Sequence, residues 1–189
     1  MKKSLLFIRI LALLLPSCII SLHPLYTDDV IVYEDALEGQ WIQGDIEDEN
    51  DEFLIWEFSR AKKGYRLLRH NNVDSFVYHA VLVKLGDHHF MDFYREVPDD
   101  CQDDIANFLP THNFLKVQLD DDTFKLEYFD NDYLKRLFRE RKIRIKHEKV
   151  NGDIVLTAES KELQQFMIKY AEDKRAFSGS YEVLEKITR

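Results

Sequence analysis

The chain reads as a mainly β protein. The expected architecture is an antiparallel, up-and-down barrel of about 8–9 strands with two helices, the last one C-terminal. Three observations lead there. Apolar and polar residues alternate with period two in one segment after another between Phe53 and Phe129. Tight-turn dipeptides, Gly86-Asp87 and Asn151-Gly152, separate such segments. A length of 189 residues with 45% hydrophobic and 13% aromatic side chains is enough for one well-filled domain.

The elements follow in order. Phe53 to Arg60 sets Leu54, Trp56 and Phe58 on one face, and Gly64 to His70 is the next strand. Asp74 to Leu85 is apolar on both faces, with Phe76, Tyr78 and Leu82 one way and Val77, Val81 and Val83 the other. Gly86-Asp87 turns it into His88 to Tyr94. Pro98 to Asn107 is an acidic loop, and Asn113 to Leu119 alternates Leu115, Val117 and Leu119 against Lys116 and Gln118. Thr123 to Phe129 places Phe124, Leu126 and Tyr128 together. Asp130 or Asn131 caps a helix through Arg141, with Tyr133, Leu134, Leu137 and Phe138 at helical spacing. Ile143 to Val150 and Asp153 to Thr157 form a hairpin about Asn151-Gly152. Ser160 is the expected N-cap of a last helix with a Leu163, Phe166, Met167 and Tyr170 stripe, and residues 178–189 are expected to be a flexible tail.

The N-terminus has its own logic. Met1-Lys2-Lys3 precedes an apolar run from Leu5 to Leu15 that is too short to cross about 30 Å of hydrocarbon. Leu15-Pro16-Ser17-Cys18 resembles the lipobox of bacterial lipoproteins, with Pro16 where Ala or Ser is commoner. The resemblance implies a signal peptide at 1–17, addition of a diacylglyceryl group to the Cys18 thiol, cleavage before Cys18, and acylation of the new amino group with a fatty acid such as palmitate. It also implies a lipidated tether at 18–29, a domain at 30–177, and a place in the bacterial cell envelope, on the periplasmic side of the outer membrane. An uncleaved anchor helix running through Ile19, Ile20 and Leu22 is the alternative; it would put Arg9 at a costly depth and a kink at Pro16. Cleavage removes Lys2, Lys3 and Arg9, so the formal charge of -9 becomes three units more negative. Cys101 is then the one thiol left, and Asp99, Asp100, Asp103 and Asp104 disfavour its thiolate.

Gly39-Gln40-Trp41 ahead of a strand-rich stretch resembles the lipocalin signature, in which the Trp closes one barrel end. In that family one helix follows the last strand, whereas the helix starting at Asn131 here lies between late strands. Pro24-Leu25-Tyr26-Thr27 and Asp153-Ile154-Val155-Leu156-Thr157-Ala158 are similar to a group of small lipoproteins without assigned activity. That resemblance implies no catalytic residue.

Candidate chemistry is sparse. Trp56, Phe58, Phe76, His79 and Phe93 could line a pocket for a small apolar ligand, or fill the core outright. His79, His88 and Asp92 are the weak metal-site candidates, within a wider group that includes His89 and His112. Parity puts His88 and Asp92 on one face and His89 on the other. No Gly-x-Ser-x-Gly elbow and no Gly-rich phosphate loop occurs, and an acidic chain lacks the basic face that nucleic acid requires. The run Lys135 to Lys149 is the basic exception, a solvated face or one suited to anionic headgroups or an acidic partner. The sequence therefore leads to a non-catalytic binding module without cofactor, partnered by the membrane and a small apolar ligand. An envelope scaffold protein and, less favoured, a metal-assisted hydrolase are the alternatives.

Overall fold

The computed structural model describes residues 19–43, 54–71, 74–96, 111–177 and 181–188. Cys18, residues 1–17 (the expected signal peptide) and the acidic stretch around Cys101 lie outside the described residues. Seven strands pair in chain order: β2 (Gly39–Gln43), β3 (Leu54–Arg60), β4 (Tyr65–His70), β5 (Ser75–Leu85), β6 (His88–Arg95), β7 (His112–Leu119) and β8 (Thr123–Tyr128). The last strand, β11 (Tyr181–Lys186), lies antiparallel between β8 and β2 and closes an eight-stranded barrel. Closure leaves the barrel without a free edge.

Between β8 and β11 the chain builds α1 (Asn131–Arg139), the hairpin β9 (His147–Val150) and β10 (Asp153–Leu156), and α2 (Ser160–Tyr170). Asp130 caps α1, its carboxylate accepting the Tyr133 N–H at 2.7 Å. Asn151 and Gly152 take the positive φ values, 52° and 93°, that the hairpin turn demands. The N-cap of α2 is Glu159 rather than Ser160, which is the first helical residue.

Two segments expected to be loose are built into the fold. Residues 178–189 were expected to form a flexible tail, yet 181–186 are the closing strand. Their inward positions are Glu182, Leu184 and Lys186, and Leu184 alone is fully buried, so the sequence carries little strand signal. Residues 18–29 were expected to be a tether, yet Ile19–Ser21 form β1, antiparallel to the start of β7 and parallel to β10. Both Ile19–Ser21 and β11 are thus strands of the folded sheet.

The two apolar faces of β5 meet two different cores. Inside the barrel, Trp41, Trp56, Phe58, Leu67, Leu82, Phe124 and their neighbours pack together. Outside it, Val81, Val83, Phe90 and Phe114 pack against Ile19, Leu25 and the stripes of both helices. The last helix therefore covers the barrel wall. No helix among the described residues is long and apolar enough to cross a membrane.

One turn is fixed by glycine alone. Gly64, at φ +74° between β3 and β4, would place a Cβ 2.3 Å from the Ala80 carbonyl oxygen and 3.0 Å from the Val81 Cα. Both obstacles are in backbone or against it and cannot swing aside. Gly64→Ala is expected to cost roughly 2–4 kcal/mol, from left-handed strain plus the clash, read as a lowered urea midpoint. At Gly86, where nothing lies within 4 Å of the Cβ position, the same substitution should cost much less.

Candidate functional site

The turn that precedes β2 shapes one end of the barrel. Asp35–Leu37 form a single 3-10 turn, and the buried Trp41 indole N–H donates to the Leu37 carbonyl at 2.9 Å. Lys186, on the closing strand, donates to the Ala36 carbonyl and sets its ammonium 5.0 Å from the Trp41 ring centroid. These bonds hold the turn across the barrel end without sealing it. A cavity of about 430 Å³ remains, with Leu37, Leu82, Val117, Leu119 and Phe124 as its apolar wall. Glu34, Asp120 and Asp121 stand exposed at its rim, and His89 reaches it from β6. Burial, and then the nearby Lys84 ammonium, push His89 below the ordinary imidazole value, which favours a neutral ring at pH 7. The site thus sets an apolar wall against an anionic rim.

The expected pocket residues fall in three places. Trp56, Phe58 and Phe93 do come together inside the barrel, but they pack on one another and on Phe124. The ring centroids are 5.9 Å apart for Trp56–Phe93 and for Phe58–Phe124. The Arg69 guanidinium lies 4.1 Å over the Trp56 ring, while Trp56 Nε1 and Arg69 Nε are buried without a hydrogen-bond partner among the described residues. Phe76 is 38% exposed at the start of β5 under Arg95. His79 faces outward and bonds the Lys63 carbonyl.

The three metal candidates have other occupations. His88 and Asp92 share the outer face, as parity required, but are four residues apart along β6 and stay separate. His88 Nε2 lies 2.9 Å from Glu172, and Asp92 is paired with His112. Among the described residues no group of three or more His, Cys, Asp or Glu side chains is placed to hold a metal ion.

The Asp92–His112 pair organises the N-terminal segment. Asp92 Oδ1 accepts from His112 Nδ1 at 2.8 Å, and Oδ2 accepts the Leu25 N–H, also at 2.8 Å. Burial pushes the Asp92 carboxyl above the ordinary carboxylate value, and those two donors pull against it. Tyr94 and Tyr26 flank the imidazole at 5.0 and 6.3 Å, and burial followed by the Asp92 charge raises the Tyr26 phenol. From the other side Gln164 of α2 donates to the Leu25 carbonyl at 2.9 Å and to the Thr27 hydroxyl at 3.0 Å. Lys161 bonds Asp29 at 2.8 Å and, with the Thr27 hydroxyl, holds its carboxyl down at about 2. Residues 30–32 then run beside β5 past the end of β4, with Val32 donating to Leu82 and Val30 accepting from Lys84. Residues 19–32 are therefore a strap on the barrel wall.

Comparison with family models, with curated proteins and with solved structures gave no match. The functional reading rests on the geometry.

Proposed function

We propose that this chain is a lipoprotein of the bacterial cell envelope, acylated at Cys18, whose barrel mouth binds a small ligand with an apolar body and takes no part in catalysis. The observation that carries the binding reading is the cavity of about 430 Å³ at the barrel mouth, which sets an apolar wall against acidic side chains at the rim. Its size is in the range of sites that enclose small molecules. The wall of Leu37, Leu82, Val117, Leu119 and Phe124 supplies the hydrophobic contact. The carboxylates of Glu34, Asp120 and Asp121 favour a ligand whose polar end is cationic or donates hydrogen bonds. The Leu15-Pro16-Ser17-Cys18 motif supports the anchoring half of the reading.

Displacement of a lipophilic dye, followed alongside native mass spectrometry, tests the binding half. Val117→Trp inserts a large ring into the cavity wall and is expected to abolish dye uptake, while the wild-type chain takes up one molecule. A wild-type chain that neither takes up dye nor carries a co-purified small molecule would remove the reading and leave the envelope scaffold alternative in its place.

A further inference from the structure

The outer edge of the sheet carries a charge opposite to that of the chain. Between Lys135 and Lys149 there are eight Lys and Arg residues against Glu140 and Glu148, in a protein of formal charge -9. The run comprises most of α1, the segment after it, and β9, the outermost strand of the extended sheet. Arg136, Arg139, Arg141, Lys142, Arg144, Lys146 and Lys149 are all exposed. Two cations of the run are neutralised locally, Lys135 by Asp153 at 3.2 Å and Lys142 by Glu140 at 2.7 Å. Arg139, Arg141, Arg144, Lys146 and Lys149 have no carboxylate within ion-pair distance among the described residues.

Lysines on an edge strand also deter pairing with other sheets, and that role alone would account for β9. It does not account for the arginines of α1 and of the connecting segment, which lie on no edge. Their position relative to the chain start does. The parallel register Ile20↔Val155 and Ser21↔Leu156 brings the beginning of β1 beside the beginning of β10, at the Val150–Asp153 hairpin tip. Lys135 of α1 bonds Asp153 at that same tip. Ile19 is 1% exposed within the outer core, and one peptide bond separates it from Cys18. A lipid on Cys18 would thus join the domain beside its basic edge, with no slack chain between them.

We infer that residues 135–149 form a seat for anionic phospholipid headgroups, holding the domain in one orientation on the membrane to which Cys18 is attached. The inference rests on the proposed acylation of Cys18. Lipid and seat are complementary: the acyl chains hold the domain at the surface, and held there the exposed cations lie within a Debye length of the headgroups.

The test uses the full acylated chain, reconstituted in vesicles of phosphatidylcholine alone or mixed with phosphatidylglycerol. Lysine acetylation is then mapped by mass spectrometry. Lys146 and Lys149 are expected to react about fivefold more slowly on the phosphatidylglycerol vesicles, and high salt should reverse the protection. Lys63, which is paired with Asp28 on the β3–β4 turn, should react equally on both. The combined substitution Arg139→Glu, Arg141→Glu and Arg144→Glu should remove the protection, leaving the chain vesicle-bound and its urea midpoint little changed. An acylated chain whose Lys146 and Lys149 react alike on both vesicles overturns the seat alone. So does protection that appears only on adding an acidic soluble protein. An intact mass without acyl groups overturns the anchoring reading and this inference together.

Discussion

Deleting residues 181–189 is expected to destroy the cooperative fold. The deletion removes β11, which pairs with β8 from Tyr181↔Glu127 to Glu185↔Thr123 and with β2 at Glu185↔Ile42 and Lys186↔Trp41. Two barrel edges open at once, Leu184 leaves the interior, and the Lys186 bond to the mouth turn is lost. Removing one fully buried leucine side chain costs about 2–5 kcal/mol. With a strand's worth of backbone bonds added, the loss is comparable with the whole stability of a domain, about 5–15 kcal/mol. Unpaired edges also template intermolecular pairing. Size-exclusion chromatography should show aggregates, and urea titration no sigmoidal transition. A monomeric, cooperatively folding truncation would mean that the barrel does not need its last strand. Leu184→Asp, which keeps the backbone and charges the interior, should fail in the same direction to a smaller extent.

Asp92→Ala is expected to cost about 2–5 kcal/mol, from about 1–3 kcal/mol for each buried donor left without its acceptor. The substitution strands the His112 imidazole and the Leu25 N–H together, because both bond the same carboxylate. Hydrogen exchange should accelerate in residues 22–27 more than in the barrel strands, since the strap loses one of its two central attachments while Gln164 retains the other. Asp92→Asn keeps the shape and an acceptor, and should cost only about 1–2 kcal/mol. The comparison of wild type with Asp92→Asn carries a pH signature. Burial holds the carboxyl above its unfolded value of about 3.9, so its contribution to stability is full below that pH. The contribution falls as pH rises through the folded-state value. The stability difference should therefore shift toward Asp92→Asn as pH is raised from about 3.9. A difference independent of pH would mean that the carboxyl is not raised.

Strand faces were legible where alternation was strong. Trp56 and Phe58 point inward as their parity required, and the apolar character of both faces of β5 marked a wall between two cores. The α1 cap and the Asn151-Gly152 turn were legible because each depends on residues adjacent in sequence. β1 and β11 were not. Each has few buried apolar residues, and their partners lie far off: Phe114 and Val155 for β1, Trp41 for β11. The mouth cavity escaped for a similar reason. Its lining is drawn from positions between Glu34 and Phe124, brought together by barrel closure. The Gly39-Gln40-Trp41 triplet lies close by, where Trp41 ties down the turn that borders the opening. Asp92 and His112 were both visible as polar residues on apolar strands. Their pairing was hidden because they are diagonal neighbours: Asp92 stands opposite Phe114, and His112 opposite Tyr94.

The strand order also sets a timetable. β11 is synthesised after every other strand of the sheet, and its partner β2 is among the first. β1 likewise waits for β10, more than a hundred residues downstream. A nascent chain can form the β2–β8 meander but can neither dock β1 on β10 nor close the barrel until β10 and β11 are available. Folding dominated by such distant pairings is slow and leaves apolar strands exposed meanwhile. The chain through β11, rather than any shorter N-terminal portion, is the unit that closes the barrel. Whatever protects it from aggregation has to act until β11 has been released.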